Sequence, residues 1–342
     1  MTYPPSAQRG AFIAGVDYVL PPRRVTNDDL AALHPDWQVA QVAARTGVHS
    51  RHWCTAEETA LDLGVQASER LFSRTGFDRS AIDAVLFCTQ TPDHVMPPNS
   101  TLLQHRLGLS QRLLAMDFTL ACSGYVYGIE VARAFVEAGS ASQVLVVAAE
   151  TYSKLCHPDD RGPTTLFGDG GAATIVSGGE RRIGRAMLGT DGGRGDCFIV
   201  PAGGARQPRS AETARLASDA SGNFRTAEHV MMNGGGVLDF IKKDVPPLVR
   251  ELLAREGLTL ADIDLVLFHQ ASKMSIDYLH RALKIPEAKQ FTNLANIGNT
   301  VSASIPIALR DAEVAGRLTS GMRVLLVGFG VGLSWGGQVI TW

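Results

Sequence analysis

The 342-residue chain lacks the features that mark several protein classes. Its five Cys (54, 88, 122, 156 and 197) are odd in number, scattered and without a CxxC pair, which excludes a disulfide framework or a zinc site as the organising element. No apolar run reaches membrane-spanning length, "VLVVAA" being typical of the longest. Charge of one sign is also missing: 32 Lys and Arg against 34 Asp and Glu give a net −2, which provides no basic face for nucleic acid. The opening "MTYPPSAQRG" lacks the basic-then-apolar pattern of a signal peptide, so a reduced, cytoplasmic protein is expected, with no metal. What the chain does have is 45% hydrophobic residues, 19% charged residues and 35 Gly, the composition of a compact α/β protein. Its length is enough for two similar halves.

The halves are visible as a repeat. "RTGFDRSAIDAVLF" from residue 74 and "REGLTLADIDLVLF" from residue 255 share Arg, Gly, Ile-Asp and Val-Leu-Phe at a step of 181. Each reads as a helix end, a Gly stop and a buried strand. "VARAFVEAGSASQVLVV" and "IALRDAEVAGRLTSGMRVLLV" repeat a helix, an Ala-Gly terminus and a strand, with Gly139 opposite Gly316. Two copies of one α/β unit are expected, residues 1–179 and 180–342. The same steps place His269 opposite Cys88 at a strand end, and Cys122 opposite Asn299 at helix starts. If the halves pack about a pseudo-twofold axis, the Cys, the His and the Asn converge on one small pocket.

Each of the three also has a plain structural reading. Cys122, between the apolar "DFTLA" and the amphipathic "GYVYGIEVARAF", is either a buried thiol filling a gap or a nucleophile favoured by the positive end of a helix. His269 is also readable as a core histidine, and Asn299 as a helix cap. "GDGG" is no phosphate loop, since the Gly-Lys-Ser/Thr is missing.

Taken in order, "ACSGYVYG", "FGDGGAA", "HQAS", "GNTVSASIPIAL" and "GFGVGLSWG" resemble the 3-oxoacyl-acyl-carrier-protein synthase III family of thiolase-fold condensing enzymes, from about Gly15 to Trp342. The resemblance implies a five-layered α-β-α-β-α fold of two duplicated halves and a triad of Cys122, His269 and Asn299. It implies an acyl-Cys122 intermediate formed from an acyl-coenzyme A, which is a substrate; no cofactor is called for. Malonyl on acyl carrier protein then loses carbon dioxide, and His269 and Asn299 donate hydrogen bonds to the enolate oxygen. The backbone N–H groups of Cys122 and Val331 match the family's oxyanion hole. Degradative thiolases carry a second Cys in the C-terminal Gly-rich loop, whereas the last Cys here is Cys197; elongating synthases use two His, whereas the second position here is Asn299. An acyltransferase that moves the acyl group to a hydroxyl or amine is the alternative, and an inactive structural partner is disfavoured by the intact triad.

The narrower positions depart from the family. Ser272 stands where Asn is usual, Val331 in the middle of the Gly run, and Leu333 at an aromatic position. No Trp occupies the adenine-stacking place, Trp37 lying several residues away, while Arg45 and Arg161 match positions near the nucleotide. The docking Arg falls at Met274, so Lys273 is the expected substitute, with Arg281 and Lys284 farther along what reads as the same helix. The resemblance also implies a homodimer in which Met96 of "TPDHVMPPNS" closes the partner's acyl pocket, with Leu333 and Val331 as apolar bulk on the other side.

Overall fold

The computed structural model describes residues 10–180, 183–219 and 222–342. A five-stranded sheet runs in the order Gly10–Val19, Gly170–Gly179, Gln143–Glu150, Ala84–Cys88, Leu114–Phe118. Ala84–Cys88 is parallel to both its neighbours, and the remaining pairs are antiparallel. A four-stranded sheet runs Leu265–Phe268, Arg323–Gly330, Ser334–Thr341, Met187–Thr190, with the first pair parallel.

Strands such as "AVLFC" are buried at every position, as expected where helices cover both faces of a sheet. The two-residue period sorts these uniformly apolar runs into separate cores. Ala84, Leu86, Val144 and Val146 face inward together with Leu265, Leu267, Val324 and Leu326 of the other sheet. Between the sheets lie the helices Gly124–Glu137 and Ser304–Val314, whose Val126, Ile129, Ile305 and Leu309 complete that central core. Val85, Phe87, Leu145 and Val147 face out onto the helices Ala60–Thr75 and Asn99–Arg106. Val266, Phe268, Leu325 and Val327 face out onto Gly234–Arg255 and Lys273–Leu283. The result is the α-β-α-β-α stack of the thiolase fold.

The repeated segments fold alike. Gly76 and Gly257 follow helices at φ +65° and +67°, a left-handed conformation that Gly adopts at little cost, and each leads through a short 3₁₀ turn into a core strand. Cys122 precedes one central helix and Asn299 lies shortly before the other, so both reach the same end of the middle layer.

Candidate active site

Cys122 occupies the turn between the strand Leu114–Phe118 and the helix Gly124–Glu137 and is 3% exposed. The strand Arg323–Gly330 ends against it. A Cβ added to Gly330 would lie 2.7 Å from Cys122 Cβ and 2.9 Å from Sγ, so only Gly lets that backbone come so close. Ser334 donates to the carbonyl of Val331 at 2.6 Å, and the Ser123 and Ser334 hydroxyls lie 2.7 Å apart, which ties the Cys122 turn to the last strand. The helix start favours a thiolate, but burial is the larger influence: it pushes the Cys122 thiol up, and the Glu150 carboxylate pushes it further in the same direction. The resting group is the neutral thiol.

His269 follows the strand Leu265–Phe268, and its N–H continues the ladder by donating to Val327 O at 2.8 Å. Burial holds the ring down to about 3, so it is neutral at physiological pH. Nδ1 lies 2.6 Å from Ser304 Oγ. Where that hydroxyl donates to Nδ1, the ring hydrogen is on Nε2 and the imidazole is a hydrogen-bond donor.

Asn299 is held by backbone from the first half: its N–H donates to Leu166 O at 3.0 Å, and its carbonyl accepts from Gly168 N at 2.9 Å. The "FGDGG" segment thus joins the two halves. Its Asp169 carboxylate is buried and accepts from Cys54 N at 2.8 Å and from the backbone and hydroxyl of Ser153 at 2.8 and 2.5 Å. The Asn299 side chain accepts from Val301 N at 2.9 Å through Oδ1, and Nδ2 reaches Ala271 O at 3.4 Å. Asn299 is therefore not itself a helix cap, since Thr300 and Ala303 hold the N-cap positions of the turn and helix that follow; its Oδ1 accepts locally, and its Nδ2 has one long bond.

Cys122, His269 and Asn299 line one cavity of about 230 Å³, walled by Phe167, Phe198, Met232, Ile241 and Phe329. Val42, Arg45 and Thr46 of the helix Val39–Thr46 also line it, as do Gly162, Ser272 and Met274. Arg45 is exposed there, and the half-buried Arg161 begins the short helix Arg161–Leu166 beside Gly162. Lys273 falls between two lining residues, with its ammonium paired to the Asp277 carboxylate one turn on. Arg281 is exposed in the last turn of Lys273–Leu283. Lys284 lies beyond that helix at φ +56°, a correction to its expected place on the same helix.

Val331 and Leu333, expected at the pocket wall, do not line this cavity. Val331 is half-buried and lines a second cavity of about 660 Å³ with Gln90, Thr91 and Tyr152; Phe198 borders both cavities. Leu333 is fully buried in the outer core of the second half with Phe240, its backbone exchanging hydrogen bonds of 2.8 and 3.0 Å with Asp191, and it lines neither cavity. Met96 is 79% exposed in this chain and also lines neither. Trp37 stacks on His34 at 3.8 Å.

Sequence reasoning missed Ser304, Gly330 and the cluster of Tyr152, Phe167 and Phe198, whose ring centroids lie 4.8–6.3 Å apart in the core that holds Cys122. The Gly of "GFG" was a usable signal for the close approach; nothing in the pattern singles out Phe198. Among the described residues no group of His, Cys, Asp and Glu is arranged to hold a metal, and no helix is long and apolar enough to cross a membrane.

A thiol, a neutral imidazole and a carboxamide converging between two duplicated halves define a condensing enzyme of the thiolase fold. Models of the 3-oxoacyl-[acyl-carrier-protein] synthase III family and of its C-terminal region match residues 116–192 and 253–342. The β-ketoacyl-[acyl-carrier-protein] synthase III 3 of Streptomyces coelicolor is 35% identical over 340 residues, 98% of each chain. A crystal structure of a 3-oxoacyl-(acyl-carrier-protein) synthase III superposes with a TM-score of 0.95 at 43% identity, covering 97% of this chain and 100% of that one. The priming β-ketosynthase of a polyketide biosynthetic pathway gives 0.85 at 30% identity, covering 98% and 96%. The chain belongs to the 3-oxoacyl-[acyl-carrier-protein] synthase III family.

Proposed function

We propose that this protein condenses an acyl-coenzyme A primer with malonyl-acyl carrier protein to give a 3-oxoacyl-acyl carrier protein and carbon dioxide. The observation that carries the reading is the single cavity shared by Cys122, His269 and Asn299. The Cys122 sulfur attacks the primer thioester, and coenzyme A leaves with the thiol proton. Cys122 N–H and the N–H of Val331, the residue after the cavity-lining Gly330, serve in this reading as the donors to the tetrahedral oxyanion. The malonyl carboxylate then departs as carbon dioxide, leaving its electron pair in an enolate whose oxygen accepts from His269 Nε2–H and Asn299 Nδ2–H. A neutral imidazole suits this task, since it donates without surrendering a proton that the enolate would capture before carbon–carbon bond formation. The enolate carbon attacks the acyl-enzyme carbonyl, and Cys122 leaves as thiolate and regains a proton.

Arg45, which lines the cavity, and Arg161, next to the lining Gly162, supply cations for the phosphates of coenzyme A. Lys273 and Arg281 supply a docking face for the acidic carrier protein. The strand Leu114–Phe118 is an edge of its sheet, and Leu114, Met116, Val95 and Met96 are exposed on or near it. A second copy covering that apolar edge makes a homodimer and carries Met96 to the partner's acyl pocket. We place the enzyme in the cytoplasm with its thioester substrates, its two halves meeting at residues 179 and 180.

The test is a mass shift on the Cys122 peptide after mixing with acyl-coenzyme A, followed by carbon dioxide release on adding malonyl-acyl carrier protein. Cys122→Ala abolishes both the adduct and condensation while the protein stays folded. An adduct that persists in the Ala variant refutes the nucleophile. Acyl transfer to a hydroxyl or amine without carbon dioxide release replaces condensation with the acyltransferase reading.

A further inference from the structure

Glu150 ends the strand Gln143–Glu150 with no exposed surface, and no step of the reaction above uses it. Four donors face its carboxylate. Oε2 accepts from Gln90 N at 2.9 Å and from the Thr91 and Thr89 hydroxyls at 3.3 and 3.4 Å. Oε1 accepts from Ser302 Oγ at 2.8 Å, a bond that crosses from the first half to the second. Ser302 belongs to the turn Val301–Ala303, which starts two residues after Asn299.

That turn is in an unfavourable conformation. Val301, β-branched and fully buried, has φ +53°, where its Cβ crowds the backbone. Such a residue stays there only when its surroundings hold it. The backbone bonds from Ala303 N to Thr300 O at 3.0 Å and from Ser304 N to Val301 O close the turn, and two bonds tie it to its surroundings: the Val301 N–H to Asn299 Oδ1 at 2.9 Å, and the Ser302 hydroxyl to Glu150. The bond to Asn299 Oδ1 also decides which end of that amide faces the cavity. With Oδ1 engaged by a backbone donor, Nδ2 is turned the other way, where Ala271 O at 3.4 Å is at the outer limit of a hydrogen bond.

We propose that Glu150, acting through Ser302, is a positioning residue for the condensation half-reaction: it clamps the Val301 turn so that Asn299 presents an Nδ2–H to the enolate oxygen. The inference rests on the reading of Asn299 as an enolate donor. Losing the clamp lets Val301 relax, and the amide loses the backbone donor that orients it. Acylation of Cys122 does not use that amide, and breaking the clamp at Ser302, which keeps Glu150 and its influence on the thiol in place, spares it.

The experiment measures two rates in each variant, acyl transfer to Cys122 from acyl-coenzyme A and carbon dioxide release from malonyl-acyl carrier protein, with thermal unfolding to verify the fold. Ser302→Ala is expected to slow carbon dioxide release by about 10- to 100-fold, because a donor shifted by about 1 Å loses most of its benefit, while acylation stays within about twofold. In an Asn299→Ala background the same change is expected to add nothing. Glu150→Gln, whose carbonyl still accepts from Ser302, is expected to retain more carbon dioxide release than Glu150→Ala. The proposal is overturned if Ser302→Ala releases carbon dioxide at the parent rate, slows both half-reactions alike, or multiplies the loss caused by Asn299→Ala. If Asn299→Ala itself leaves carbon dioxide release untouched, the Asn299 reading falls and the clamp with it; a slow Asn299→Ala beside a normal Ser302→Ala removes the clamp alone.

Discussion

Replacing His269 by Gln tests whether the imidazole is a neutral, buried donor. In the folded protein burial holds the ring down to about 3, whereas in the unfolded chain it titrates near its ordinary 6.5. Between those values the unfolded state binds a proton that the folded state refuses, so this group's contribution to stability is constant above 6.5 and falls as pH drops below it. At about 1.4 kcal/mol per pH unit, moving from pH 7 to pH 5 costs the parent about 2 kcal/mol through this one residue. His269→Gln has no such group and escapes that loss. The assay is urea unfolding at both pH values and equal protomer concentration, with free energies from linear extrapolation. Burial also holds His229 and His280 down, but these are common to both proteins and cancel in the difference. If parent and variant lose the same stability on acidification, His269 titrates as an ordinary histidine and the neutral-donor mechanism is wrong.

Three further outcomes follow from the geometry. Gly330→Ala is expected to slow Cys122 acylation by about tenfold or more in the rate of adduct formation, because the new methyl falls 2.7 Å from Cys122 Cβ and must displace the nucleophile turn; an unchanged rate means that the strand yields instead. Charge reversal at Lys273 and Arg281 is expected to raise KM for malonyl-acyl carrier protein and leave the acyl-coenzyme A step nearly unchanged; equal effects on both substrates remove this surface as a docking face. Met96→Trp is expected to shift primer preference toward shorter acyl chains and Met96→Ala toward longer ones, read as Cys122 acylation rates across a chain-length series; identical profiles show that Met96 does not border the pocket.

Much of this protein was legible in the chain because its information is local and repeated. Gly76 and Gly257 announce helix ends by the one backbone conformation that other residues avoid, and the runs "AVLFC" and "LVLF" announce strands covered on both faces. The step between the copies then aligned Cys122 with Asn299 without coordinates. Tertiary structure decided what depends on distance between segments far apart in sequence. Burial, which no motif encodes, holds the Cys122 thiol up and the His269 ring down. The resemblance leads one to expect Leu333 at the pocket wall, yet it lies in the outer core of the second half, in the cluster that also holds Phe240. Ser304 orients the His269 ring, and Glu150 reaches Ser302 across 152 positions of chain. A periodic pattern specifies which face of a strand is apolar, but only the packed sheets determine which side chains meet there and how far water is kept from them.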